Sequence, residues 1–149
     1  MDTIANNLGL NSETFVGPAW VTLAYFGVYY AFITHGLTVK LRLTREHEAR
    51  GEKFDRYFSQ DRSLLAADRT QLNMLEHMPV FLALLWLHAT LVSSAEATVL
   101  GALYVVTRVL YPFLLAGRLG RNIPFRLLFS TFAGYGVLLV LVVRIVMNL

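Results

Sequence analysis

The chain has 149 residues, 56% of them hydrophobic, with a formal net charge of +3 and no cysteine. One domain, residues 1–149, fits the length, but a soluble domain does not need so large an apolar fraction, so the excess has to face something other than water. The missing cysteines exclude disulfides, thiolate metal sites and a cysteine nucleophile, so any thiol chemistry arrives with a substrate. In such a chain the basic excess reports membrane topology before it reports nucleic acid, and no nucleic-acid partner is expected.

The opening MDTIANNLGLNSETF has no basic residue ahead of the first apolar run and reads as a short polar tail, not a cleavable leader. A helix needs about 20 mostly apolar residues to cross a bilayer. The first such run covers about residues 15–39, with Pro18 in the first turn, where a missing N–H is tolerated.

A polar connection over about residues 40–62 follows, its acidic and basic residues mixed around Gly51. Its Phe54, Tyr57 and Phe58 suit either the headgroup boundary or packing against helix ends.

The second span, about residues 64–93, starts amphipathic (RSLLAADRTQLNMLEHM) and turns fully apolar (PVFLALLWLHATLV). A minimal SSAE connection leads to the third span, about 97–117, and GRLGRN leads to the fourth, about 123–146. Such short connections make neighbouring helices antiparallel. The expected fold is all-α, an integral membrane four-helix bundle.

No Lys or Arg precedes Lys40, many lie between Lys40 and Arg69, and Arg118, Arg121 and Arg126 flank the third connection. The second connection has none. With four spans both basic connections share a side, so the basic loops are expected in the cytoplasm and both termini opposite, in a bacterial inner membrane or an endoplasmic reticulum.

The most informative stretch is RTQLNMLEHMP. Arg69, Asn73 and Glu76, spaced by four and three, share a helix face. A carboxylate toward lipid is costly, so Glu76 needs a partner, and Arg108 in the third span is the expected one, flanked on its own face by Tyr104 and Tyr111. Such a pair could serve helix register alone. Read as a site, Arg69, Asn73, Glu76, Arg108 and Tyr111 form a polar pocket, with Lys40, Arg118, Arg121 and Arg126 as a basic rim. Arginines fork onto carboxylates, Glu76 accepts from an ammonium and Asn73 bonds an amide, an inventory that suits glutathione.

The other polar residues carry less. His35 and His88 stand alone in separate spans and no metal site is expected, Arg144 can snorkel to the far interface, Pro112 kinks the third helix, and Gly134 and Gly136 allow close helix approach.

The run RTQLNMLEHMPVF resembles the R-x-x-x-N-x-x-E-x-x-P signature of the MAPEG family, which groups microsomal glutathione transferases, leukotriene C4 synthase, the inducible prostaglandin E synthase and the five-lipoxygenase-activating protein. The resemblance covers about residues 15–147. It implies a homotrimer with glutathione, as co-substrate, held between subunits and open to the cytoplasm, and a hydrophobic small molecule entering from the bilayer.

Carried over by position, Lys40, Arg69, Asn73, Glu76, His77, Arg108 and Tyr111 match glutathione-binding positions. Two positions depart from the family pattern: Leu115 stands where a second tyrosine is common, and Leu41 where leukotriene C4 synthase has a thiol-activating arginine. A cation favours the thiolate form, and Arg121 or Arg126 is the expected one.

The implied activity is glutathione transfer to, or glutathione-dependent peroxide reduction on, a lipophilic substrate, in lipid metabolism or detoxification. A non-catalytic lipid-presenting protein of the same fold, and a small transporter with Glu76 and Arg108 lining a pathway, are the alternatives.

Overall fold

The structure, a computed structural model, describes residues 12–115 and 125–149. After a 3₁₀ turn, Ser12–Phe15, come four helices: α1 (Val16–Glu48), α2 (Arg62–Leu91), α3 (Ser94–Leu114) and α4 (Phe125–Val146). Each pairs with at least two others, giving an all-helical bundle.

Within α1 the threonines that interrupt the apolar run are turned back on the helix. The hydroxyls of Thr22, Thr34, Thr38 and Thr44 donate to the carbonyls of Pro18, Tyr30, His35 and Lys40 at 2.7–2.9 Å, so these four hydroxyls are satisfied within the helix. The helix runs on past Val39 to Glu48. Its continuation, LRLTREHE, consists mostly of good helix formers, and Arg42 reaches Glu46 one turn on at 3.6 Å. The chain turns at Gly51, whose φ of +72° suits glycine, and Glu52 N–H donates back to the His47 carbonyl at 2.9 Å.

In the connection, the Asp55 carboxylate accepts from the N–H groups of Tyr57 and Phe58, a local turn that throws both rings outward, 78% and 82% exposed. Phe54 does the opposite: it lies 5.0 Å from the His47 ring and packs on Val39, Leu43, Leu64 and Ala67.

Both following helices start with side-chain caps. Asp61 accepts from Ser63 and Leu64 N–H at 2.8 and 3.1 Å to open α2, and the Ser63 hydroxyl beside it holds the carboxyl below its ordinary range. Ser93 accepts from Glu96 N–H at 3.3 Å to open α3. The sequence S-S-A-E has the spacing of a capping box, yet the Glu96 carboxylate turns to α4 instead. Arg144 donates to it from Nε at 2.9 Å and Nη2 at 2.8 Å, tying the end of α4 to the start of α3. Thus the arginine expected to snorkel is engaged by a neighbouring carboxylate. Ser94 likewise bonds the Thr14 carbonyl.

The core centres on an aromatic stack. Phe81 of α2 lies 4.2 Å from Tyr104 of α3 and 4.9 Å from Tyr25 of α1, and the Tyr25 hydroxyl donates to the Met74 carbonyl at 2.6 Å. Val21, Leu85, Ala97, Leu138 and Leu141 complete the cluster.

Large apolar side chains also cover much of the outside of the helices. Trp20, Leu23, Phe129, Phe132 and Leu139 are 59–68% exposed, a surface that suits lipid and not water. All four helices are long and apolar enough to cross a bilayer, as expected of an integral membrane protein.

Candidate functional site

At about 100° per residue, Arg69 and Glu76, seven positions apart, project from α2 within about 20° of each other, whereas Asn73 is rotated some 40–60° away from both. The structure follows this geometry. Arg69 and Glu76 are 50% and 48% exposed, with Arg69 Nη1 3.9 Å from Glu76 Oε1, while Asn73 is buried at 8%. At this distance and exposure the ion pair adds little stability and leaves both groups available.

The partner expected for Glu76 belongs to Asn73. Arg108 is 2% exposed, and its Nη1 donates to Asn73 Oδ1 at 2.9 Å. Nε donates to Thr107 Oγ1 and Nη2 to the Ser130 carbonyl, each at 3.3 Å, and the guanidinium lies 5.0 Å over the Tyr104 ring. Among the described residues no carboxylate pairs with Arg108. The Glu76–Arg108 contact is therefore not formed, because the inward direction of α2 at this height passes through Asn73.

A buried guanidinium is costly unless its donors are met, and here three neutral oxygens and a ring face do so. Residues 130 and 134, one turn apart on α4, make the space. Ser130 supplies its carbonyl while its hydroxyl donates to the Thr107 carbonyl at 2.5 Å, and Gly134 lacks the side chain that would collide with Nη2. Thr107 and Ser130 are missing from the sequence reading. Ser130 has one signal, the small-residue stripe it makes with Gly134 opposite the one arginine in the third span; Thr107 has none.

The remaining candidates spread around this centre. Lys40 pairs with Asp68 at 3.1 Å across α1 and α2, at one side of a groove of about 310 Å³ that Gln71, Leu72 and Leu75 also line. His77 turns toward α4, its ring 5.4 Å from that of Tyr135 and edge-on to it. Tyr111 is 4% exposed and packs in an apolar cluster with Ala66, Leu115 and Leu127, away from the open Arg69–Glu76 face. Leu41 is an exposed residue of α1. Arg118 and Arg121 lie outside the described residues, as does the side chain of Arg126 in the first turn of α4. No group of three or more potential metal ligands occurs among the described residues.

This arrangement, a polar edge on the second of four membrane helices backed by a buried arginine from the third, accompanies a family-wide match. The family model of the MAPEG family covers residues 15–147. The chain belongs to the MAPEG family. MAPEG proteins include membrane glutathione transferases and related enzymes, and they generally use glutathione. No individual curated protein matches the chain. On this MAPEG chain the signature arginine and glutamate form the open half of the polar edge, and the signature asparagine forms its inner wall.

Proposed function

We propose that this MAPEG protein is a membrane-bound glutathione transferase, with glutathione-dependent peroxide reduction as a related activity, acting on a lipophilic electrophile as a homotrimer. The observation that carries the reading is the division of labour on α2: Arg69 and Glu76 remain half-exposed at the membrane helix surface, while Asn73 is anchored from behind by Arg108. A cation and a carboxylate on the open edge, with an amide in the wall behind them, match the carboxylates, ammonium and peptide groups of glutathione. Exposed charges on a membrane-spanning helix also call for cover, and a neighbouring subunit with glutathione between supplies it.

In this reading Arg69 receives a glutathione carboxylate, Glu76 its ammonium, and Lys40, His77, Arg108 and Tyr111 border or support the pocket. Arg121 or Arg126, at the basic cytoplasmic end, stabilises the thiolate. The sulfur then bonds to an electrophilic carbon reached from the bilayer, and the leaving group departs with its electron pair.

A second reading, a lipid-presenting protein without chemistry, is favoured by one feature: Leu41 and Leu115 put apolar side chains at two positions where a thiol-activating arginine and a further tyrosine stand in family enzymes. Turnover separates the two. Purified protein in lipid, given reduced glutathione and either a lipophilic aryl chloride or a lipid hydroperoxide, should form thioether or alcohol, with loss of rate in Glu76→Gln and in Arg121→Ala/Arg126→Ala. Glutathione binding without turnover on any such substrate would favour lipid presentation.

A further inference from the structure

Arg108 is a buried cation whose hydrogen bonds among the described residues all end on neutral oxygens: Asn73 Oδ1 at 2.9 Å, Thr107 Oγ1 and the Ser130 carbonyl. A guanidinium can only donate. The atom of Asn73 that faces it must therefore be the amide oxygen and never the amino group, which fixes the way the amide is turned.

With Oδ1 held inward, Nδ2 is the one polar side-chain atom of Asn73 left for a ligand, and it makes no hydrogen bond among the described residues. The guanidinium has little freedom to release the oxygen. It lies over the Tyr104 ring, its Nε is held by Thr107, its Nη2 by Ser130, and it fills the space left by the missing side chain at Gly134.

We infer that Arg108 is a positioning residue: it contacts no ligand itself, and it turns Asn73 so that the site presents an amide donor and selects an acceptor oxygen, a peptide carbonyl or a carboxylate, on the bound tripeptide. This rests on the glutathione reading above. It also refines that reading, because an asparagine free to flip would accept a ligand N–H equally well.

An aspartate at position 73 separates the two faces of the amide. It is nearly isosteric and gives Arg108 the anion it lacks, so the fold is kept, but it offers the ligand no donor and adds a negative charge beside it. The full-length chain, purified at its native oligomer size, is compared as wild type, Asn73→Asp, Arg108→Gln and the double variant, by thermal unfolding and by calorimetric titration with reduced glutathione.

Asn73→Asp alone should unfold at or above the wild-type temperature, yet bind glutathione about tenfold or more weakly. In the Arg108→Gln background the same aspartate should lower Tm, since a buried carboxylate then has no cation.

Binding by Asn73→Asp within about twofold of wild type overturns the inference while leaving the proposed function intact. So does an equal effect of the aspartate on Tm in both backgrounds, which would remove the contact. No binding by wild-type protein overturns the proposed function and this inference with it.

Discussion

The Nη2 of Arg108 stands against the Cα of Gly134, in the space any side chain at that position would occupy. A methyl group there has to displace a guanidinium already held by Thr107, Ser130 and Asn73. Gly134→Ala is expected to destabilise the protein by about 1–3 kcal/mol, as overpacking does, and to weaken the site through Asn73. Gly136→Ala is the control, because nothing lies within 4 Å of its added carbon. Thermal unfolding in detergent should show a lowered Tm for the first and little change for the second. Equal shifts would mean that α4 senses helix propensity and not the arginine.

The hydroxyl of Tyr25 reaches across from α1 to the Met74 carbonyl at 2.6 Å, one residue after Asn73. Tyr25→Phe keeps the ring stacked with Phe81 and deletes only that bond, so a loss of about 0.5–1.5 kcal/mol is expected in chemical or thermal unfolding. A larger loss would indicate that the aromatic stack itself had shifted.

Much of this bundle was legible in the sequence, and the limits have a physical cause. Apolar run length identified the four membrane helices, because the bilayer imposes that length on any helix that crosses it. The extension of α1 to Glu48 was hidden, since a helix leaving the membrane needs no apolar pattern to continue.

At the site, spacing put Arg69, Asn73 and Glu76 on one broad face, but it cannot say which edge of that face points at a neighbour. The rotation that turns Asn73 inward and Glu76 outward decides Arg108's partner. Before α3 and α4 are packed, Thr107 inside its apolar run gives no signal and Ser130 gives only its four-residue spacing from Gly134.

The α2 cap gives a pH-dependent prediction outside the membrane. The Ser63 hydroxyl and two backbone N–H groups hold the Asp61 carboxyl below its ordinary value of 3.8. A depressed carboxylate stabilises the fold at pH values above its unfolded pKa, and that contribution is lost as pH falls through the folded one. At neutral pH Asp61→Ala should cost about 1 kcal/mol through the lost cap. The gap between wild type and variant should narrow once the pH drops below 3.8. A gap independent of pH would mean that the charge of Asp61 plays no part in the cap.

At the opposite end of the bundle, the fork of Arg144 on Glu96 is accessible to ions. Arg144→Gln should lower Tm slightly at low ionic strength, with the difference shrinking as salt is added. A difference that persists at high salt would assign the effect to packing of the arginine stem on α3. The site residues on α2 are remote from this pair, so glutathione affinity should not change.

The central claim is that the site formed by Arg69, Asn73 and Glu76 binds glutathione, and calorimetric titration of the detergent-purified protein tests it most directly. The account predicts saturable binding by wild type that is lost in both Arg69→Ala and Glu76→Gln, with oligomer size unchanged. Absence of binding by correctly assembled wild type, or undiminished binding by both variants, would contradict it.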